Sequence, residues 1–313
     1  MNDYGINREP FLFIINYRKD RCYIYRKKEI PASDITFSFN GTGNSRRQLT
    51  AVNTRLEFTP VSLDDYRPAF MQVQSEISEG NSYLTNLTFS TPINSSLNLE
   101  ELFHLSQARY RLWLRNQFLV FSPETFVRIH EGKIYSFPMK GTIRANLENA
   151  SQRILSDKKE IAEHATIVDL IRNDLSVIAK NVRVNKFRYL ERIHTNREPL
   201  LQVSSEIMGD LPEDQQYHLG DIIFALLPAG SICGAPKRKT LEIIEEVETH
   251  QRGFYTGICG YFDGRNLDSG VMIRFIQEHD NKLFFKSGGG ITSMSNLESE
   301  YQEYIEKIYV PTF

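Results

Sequence analysis

Four glutamates of this chain come as two equally spaced pairs, Glu160 with Glu163 and Glu300 with Glu303. Residues three apart share one face of an α-helix, so each pair would present its two carboxylates together. If the two helices met over a cavity, they could hold a hard divalent cation such as Mg2+. That ion keeps several waters and takes only one or two carboxylates. The same spacing also suits a solvated helix face, with Lys159 pairing to Glu163. Lys140, in PMKGT, stands just past a predicted strand between Met139 and Gly141, where a surface lysine has no evident use. Its bland reading is a solvated side chain. In SGGG, at 287–290, consecutive glycines would let backbone N–H groups approach an anion such as a carboxylate. GSICGAPK, at 230–237, fails the phosphate-loop template because Ala-Pro separates Gly234 from Lys237. Cys259 in GICGY has Tyr261 where a nucleophile turn needs a small residue, so it reads as a strand cysteine. The seven histidines show no metal-binding spacing.

The rest of the composition narrows the class. Lys plus Arg is 37 and Asp plus Glu is 39, for a net charge of −2, which leaves no electrostatic footprint for nucleic acid or an anionic membrane. Hydrophobic content of 41% with 24% charged residues is globular. The longest apolar runs, 11–15 and 222–227, fall far short of the roughly 20 residues a membrane span requires, and the N-terminus lacks a signal-peptide pattern. Three widely separated cysteines make neither a disulfide framework nor a zinc site. These features predict a soluble protein of the reducing cytoplasm.

The elements that must position the candidate groups follow from periodicity. PFLFIINY, RCYIYR and ITFSFN predict three short strands, and SYLTNLTFSTPI a fourth. Helical spacing of Phe70, Val73 and Ile77 predicts a helix over 66–79. LEELFHLSQARYRLWLRNQ is expected to be a second helix, ending before the strand FLVFS. TFVRIHEGKIYSFPMKGTI reads as a hairpin turning at Glu131-Gly132-Lys133. Ser156 is the expected N-cap of a long helix to about Ala179. Pro236 is expected in the first turn of another. The last third alternates as GFYTGICGYFD, SGVMIRFIQ and KLFFKSGGG before a final helix, NLESEYQEYIEKI. Hairpin-linked strands with inserted helices predict an α+β fold with antiparallel sheet in one domain spanning 1–313.

Seven blocks then occur in a fixed order: SPETF, PMKGT, KEIAEHATIVDLIRNDL, PAGSICGAPK, RGFYTGICGYF, VMIRF and SGGGITSMSNLESEYQEY. Together they resemble the chorismate-utilising enzymes, among them anthranilate, aminodeoxychorismate, isochorismate and salicylate synthases. The resemblance covers 66–313, with a shortened strand region over 1–60, and implies antiparallel sheets, helices packed outside and a central active-site cleft. By it, Glu163 and Glu303 would ligate Mg2+, supported by Glu160 and Glu300. Tyr255, Arg274 and the backbone of Gly288, Gly289 and Gly290 would hold the enolpyruvyl carboxylate of chorismate. Glu124 would be the general acid/base.

Two positions bear on the branch. Leu84 stands where the water-activating lysine of the hydrating branch belongs, and leucine is no base. Lys140 stands where anthranilate synthases resemble PIAGT and aminodeoxychorismate synthases PIKGT. The resemblance therefore implies amination of chorismate to 4-amino-4-deoxychorismate, toward para-aminobenzoate and folate, through a covalent lysine adduct. A lysine with the ordinary pKa of about 10.4 is neutral only about once in 2,500 molecules at pH 7. The mechanism therefore asks for a pKa near about 7, a difference of roughly 4 kcal/mol. Burial and a nearby magnesium ion push in that direction. Gln202 replaces a family histidine, which leaves any acid role to Glu124. The region before Tyr66 shows no tryptophan-pocket motif, which argues against feedback inhibition by tryptophan. With no cysteine in an amidotransferase elbow, ammonia is expected from a separate glutamine amidotransferase subunit. Anthranilate synthase component I is the alternative activity, and a catalytically silent chorismate-binding scaffold the alternative class.

Overall fold

The computed structural model describes residues 1–45, 56–193 and 199–311. Among these residues the strands form two nine-stranded sheets in which every pairing is antiparallel. The first sheet runs Met139–Arg144, Leu200–Asp210, Lys133–Ser136, Thr125–His130, Leu267–Val271, Ile258–Phe262, Phe11–Ile15, Cys22–Arg26, with Lys180–Ile193 paired to Leu200–Asp210. The second runs Gly234–Ala235, Leu84–Ser95, Lys282–Ile291, Phe275–His279, Phe118–Ser122, Tyr110–Leu114, Ile35–Phe39, Thr42–Gly43, with Leu56–Phe58 beside Leu84–Ser95.

The strand Phe11–Ile15 shows why the sheets stack. All five side chains are buried because alternate residues enter different cores. Leu12 and Ile14 meet Phe37, Tyr110 and Leu112 of the other sheet. Phe11, Phe13 and Ile15 face a second core that includes Val168 and Leu175 of the helix Lys158–Ser176. Tyr66, Phe103, Ile243 and Tyr304, from four helices, build a third core outside the second sheet. An apolar strand is thus covered on both faces, each buried side chain contributing roughly 1.5–3 kcal/mol. The α+β class agrees with the periodicity, and the external helices with what the resemblance implies.

Several local expectations are corrected. The stretch 99–117 is not one helix: helix Leu99–Leu105 stops, and Tyr110–Leu114 is a strand. Tyr110, Leu112 and Leu114 enter one core while Trp113 enters another, a period of two that the helical reading overlooked. Ser156 ends the helix Ala150–Ser156, and the next residue, Asp157, caps the long helix by accepting from the N–H of Glu160 at 3.0 Å. Pro236 is the N-cap of Lys237–Val247. KLFFKSGGG is a strand as its pattern predicts: the three glycines lie within Lys282–Ile291 and pair with Asn86, Leu87 and Thr88.

The chain passes from the second sheet to the first at Pro123-Glu124, and back again at 272–274. These two crossings are neighbours. The N–H of Val271 donates to the carbonyl of Glu124, and the N–H of Phe121 to that of Arg274, each at 3.1 Å. Two candidate residues far apart in sequence are therefore fixed together where the sheets exchange strands.

Candidate active site

A cavity of about 750 Å3 opens at these crossings, lined by Glu124, Lys140, Glu160, Glu163, Tyr255, Arg274, the three glycines 288–290 and Glu303. Glu300, buried at 5% exposure, stands behind Gly289. All eleven expected site residues thus gather at one place. Leu84 and Gln202 also face it. The side chain of Lys159 lies outside the described residues.

Lys140 is aimed by its strand. The pairing of Met139–Arg144 with Leu200–Asp210 slips between Met139 and Thr142, a bulge of the kind that redirects a side chain. Gly141 within it has φ +83, and a Cβ there would lie 2.7 Å from Oε2 of Glu160. Only glycine meets both demands. Lys140 Nζ lies 2.8 Å from Glu163 Oε2. Burial pulls its pKa down, but Glu163, Glu303 and Glu160 together outweigh burial and hold it above the ordinary lysine value. The depressed amine expected from burial is therefore not what this arrangement of carboxylates provides.

Arg274 has φ +52, sparsely populated for a residue with a long side chain, and its buried Nε has no hydrogen-bond partner among the described residues. An unmet charged donor facing a cleft suits an anionic ligand. Glu124 accepts a hydrogen bond from the hydroxyl of Ser231. Burial raises its pKa, against the lowering effects of Ser231, Arg274 and Lys307. Tyr255 is buried, and that burial pushes its phenol far above the ordinary range, so it remains a neutral donor.

Lys307 was not legible as a site residue. Its Nζ lies 2.6 Å from Glu303 Oε1 and donates to the Gly288 carbonyl at 2.8 Å. The i,i+4 spacing from Glu303 was the available signal, and it reads equally as an exposed helix pair. Burial lowers its pKa, opposed by Glu303. Since the Gly288 carbonyl turns toward Lys307, its N–H turns the same way, off the paired edge. Beyond Lys286 that edge has no pairing to Phe275–His279. Ser231 lies inside PAGSICGAPK, where its residue type alone signals no site role.

The residues fit a hard cation. Their donors are carboxylate oxygens, and the ammonium of Lys140 already sits in the field of Glu163, Glu303 and Glu160. Gly289 leaves room at the second pair: a Cβ there would be 3.4 Å from Glu303 Oε1 and 3.6 Å from Glu300 Oε2. Among the described residues no group of three or more His, Cys, Asp or Glu side chains is arranged to hold a metal ion. Magnesium, which retains waters, requires none.

A family profile described as chorismate binding enzyme matches residues 13–312, beginning well before the motif blocks do. An uncharacterized PabA-like protein of Haemophilus influenzae is 48% identical over 310 residues, covering 99% of this chain and 94% of that protein. Aminodeoxychorismate synthase component 1 of Salmonella typhimurium is 33% identical over 262 residues, 78% of this chain and 56% of that one. The crystal structure of anthranilate synthase component I from Streptococcus pneumoniae superposes with TM-score 0.67 at 26% identity, covering 80% of this chain and 58% of that one. No helix among the described residues is long and apolar enough to cross a membrane. With its motifs converging on one cleft and the family profile spanning nearly its whole length, the chain belongs to the chorismate-binding enzymes.

Proposed function

We propose that this protein aminates chorismate to 4-amino-4-deoxychorismate, with Lys140 as a covalent nucleophile. The observation that carries this reading is the position of Lys140 Nζ, inside the cavity beside Glu163 and on a bulge that aims it there. Arg274, Tyr255 and the Gly288 N–H would hold the enolpyruvyl carboxylate, Arg274 through its unmet donor. Mg2+ on Glu163 and Glu303, with Glu160 and Glu300 behind them, would supply positive charge to the ring carboxylate and offset the field that keeps Lys140 protonated.

Lys140, once neutral, attacks the ring carbon next to the carboxyl-bearing one. The double bond shifts and the 4-hydroxyl leaves as water, with its proton supplied by Glu124. Ammonia then adds at the 4-position, the double bond returns, and the Lys140 amine is expelled. The surplus proton of the incoming ammonia goes to Glu124. Leu84 at the cavity wall offers no base to activate water, which favours a nitrogen nucleophile over hydration.

The ammonia is proposed to come from a separate glutamine amidotransferase. Cys233 and Cys259 are buried, and burial raises both thiols, Cys233 to about 11. Exposed Cys22 is raised as well. Neither the buried pair nor Cys22 offers the stabilised thiolate that glutamine hydrolysis requires.

The test is mass spectrometry of the product from purified protein, chorismate, Mg2+ and ammonium at mildly alkaline pH, with a parallel sample lacking magnesium. The expected product keeps the enolpyruvyl group and carries an amine in place of the hydroxyl. Anthranilate with released pyruvate would overturn the reading, and turnover unaffected by magnesium removal would overturn the metal assignment.

A further inference from the structure

The cleft does not end at the carboxylates. Glu160, Glu163, Ile167, Ile171 and Asp174 all line it, and their spacing places them along one face of the helix Lys158–Ser176. From Glu163 to Asp174 that face runs about 16 Å. The far arm is apolar in the middle: Ile167 is 8% exposed, and Leu226, across from the helix, 2%. At its outer end the character changes. Asp174 Oδ2 lies 2.8 Å from Lys237 Nζ, which also donates to the Leu226 carbonyl at 3.0 Å. Both side chains retain partial exposure, 20% and 24%, so this end reaches solvent. Gly230 packs against Asp174 and Leu170, and the next residue, Ser231, hydrogen-bonds Glu124. The arm therefore leads from a surface ion pair to the general acid/base.

We propose that this arm is the entry path of the nitrogen nucleophile, ammonia, with Asp174 and Lys237 as its outer gate. The inference rests on the amination reading above. The anionic substrate and the nucleophile need opposite surroundings. Arg274 and the cation site draw a dicarboxylate to one end, while the partly exposed carboxylate of Asp174 at the other collects ammonium and disfavours that anion. Ammonium gives up its proton at the gate, to Asp174 or through it to solvent. Neutral ammonia then crosses the Ile167–Ile171–Leu226 stretch, where an ion would be costly. Lys237 sets the field at the entrance and positions Asp174 without touching chorismate.

The two charges predict opposite effects. Initial rates are measured against ammonium at saturating chorismate and Mg2+, and against chorismate at saturating ammonium. Asp174→Asn leaves Lys237 uncompensated and raises the KM for ammonium about fivefold. Lys237→Met leaves Asp174 uncompensated and lowers that KM by a few-fold. Ile171→Phe narrows the arm, raising the KM for ammonium and depressing the rate with methylamine still more. In all three the KM for chorismate and the kcat at saturating ammonium stay near wild type. A merely structural ion pair would give Asp174→Asn and Lys237→Met effects of the same sign, or would move the chorismate KM with them, and either result overturns the proposal. Unchanged ammonium kinetics in every variant overturns it as well. A wild-type enzyme without ammonium-dependent turnover overturns the amination reading itself, whereas amination without the opposed KM shifts removes only the gated path.

Discussion

The ammonium of Lys140 and the carboxylate of Glu163 are 2.8 Å apart, although one stands on a sheet-edge bulge and the other on a helix. The proposed nucleophile and the proposed metal ligand are thus in contact. Three carboxylates hold this lysine as a cation, so its reactivity depends on what else enters the site.

Replacing Lys140 tests the covalent step. Lys140→Ala should cut amination of chorismate at least about a hundredfold, because the remaining route is direct displacement by ammonia. The side chain is 30% exposed and fills no core, so the variant should fold normally by circular dichroism. A variant that aminates at near wild-type rate would remove the nucleophile role.

The acid/base role carries a pH signature. Burial raises the pKa of Glu124, so it keeps its proton to higher pH than an ordinary carboxyl. Where Glu124 acts as the acid, kcat should fall as pH climbs through that raised value. Glu124→Gln should lose this limb along with about 10²–10⁴ of the rate. The Ser231 hydrogen bond lowers the pKa of Glu124, so Ser231→Ala should move the limb to higher pH. A limb that stays put in Ser231→Ala would assign it to another group.

Two adjacent glycines should respond differently to alanine. At Gly288 a Cβ would sit 2.1 Å from the carbonyl oxygen of Leu87 on the paired strand. The backbone must move, and Gly288→Ala should cost about 1–3 kcal/mol, seen as a lowered Tm. At Gly289 the nearest atoms, on Glu303, Glu300 and Lys307, are 3.4–3.6 Å away, ordinary contact distances. Gly289→Ala should therefore keep the wild-type Tm while weakening the magnesium dependence of turnover. Equal Tm losses would contradict this division.

Lys286 should make stability rise with pH. It is 3% exposed, donates to the carbonyls of Gln251 and Arg252 at 2.6 and 3.0 Å, and burial lowers its pKa from 10.5 to about 8. Between those values the unfolded chain binds the proton and the folded chain does not, so stability increases as pH rises across that window. The full excursion is about 3 kcal/mol. Denaturation from pH 7.5 to 9.5 should show this slope in the wild type relative to Lys286→Met. Parallel profiles would place the lysine's proton elsewhere.

Much of this protein was legible without coordinates. The short apolar run Phe11–Ile15 and the alternation in Leu84–Ser95 made the strands visible, and the helical spacing of Phe70, Val73 and Ile77 did the same for Leu63–Ser78. These are local periods, set by which face of an element is buried. The motif blocks marked all eleven expected site residues, because side-chain chemistry is carried by residue type, but not Lys307. Where two periods competed, as over 99–117, local reading failed.

Tertiary structure alone decided the rest. Glu124 and Arg274, separated by nearly half the length of the chain, meet because two strand exchanges between sheets lie side by side and share backbone hydrogen bonds. Lys307 became a site residue only when Gly288 turned its carbonyl toward it. The sign of the Lys140 shift followed from how many carboxylates the fold brings near it, not from the lysine itself. Sequence states which groups exist; distance and burial, which set both Coulomb and desolvation energies, exist only once the chain is folded.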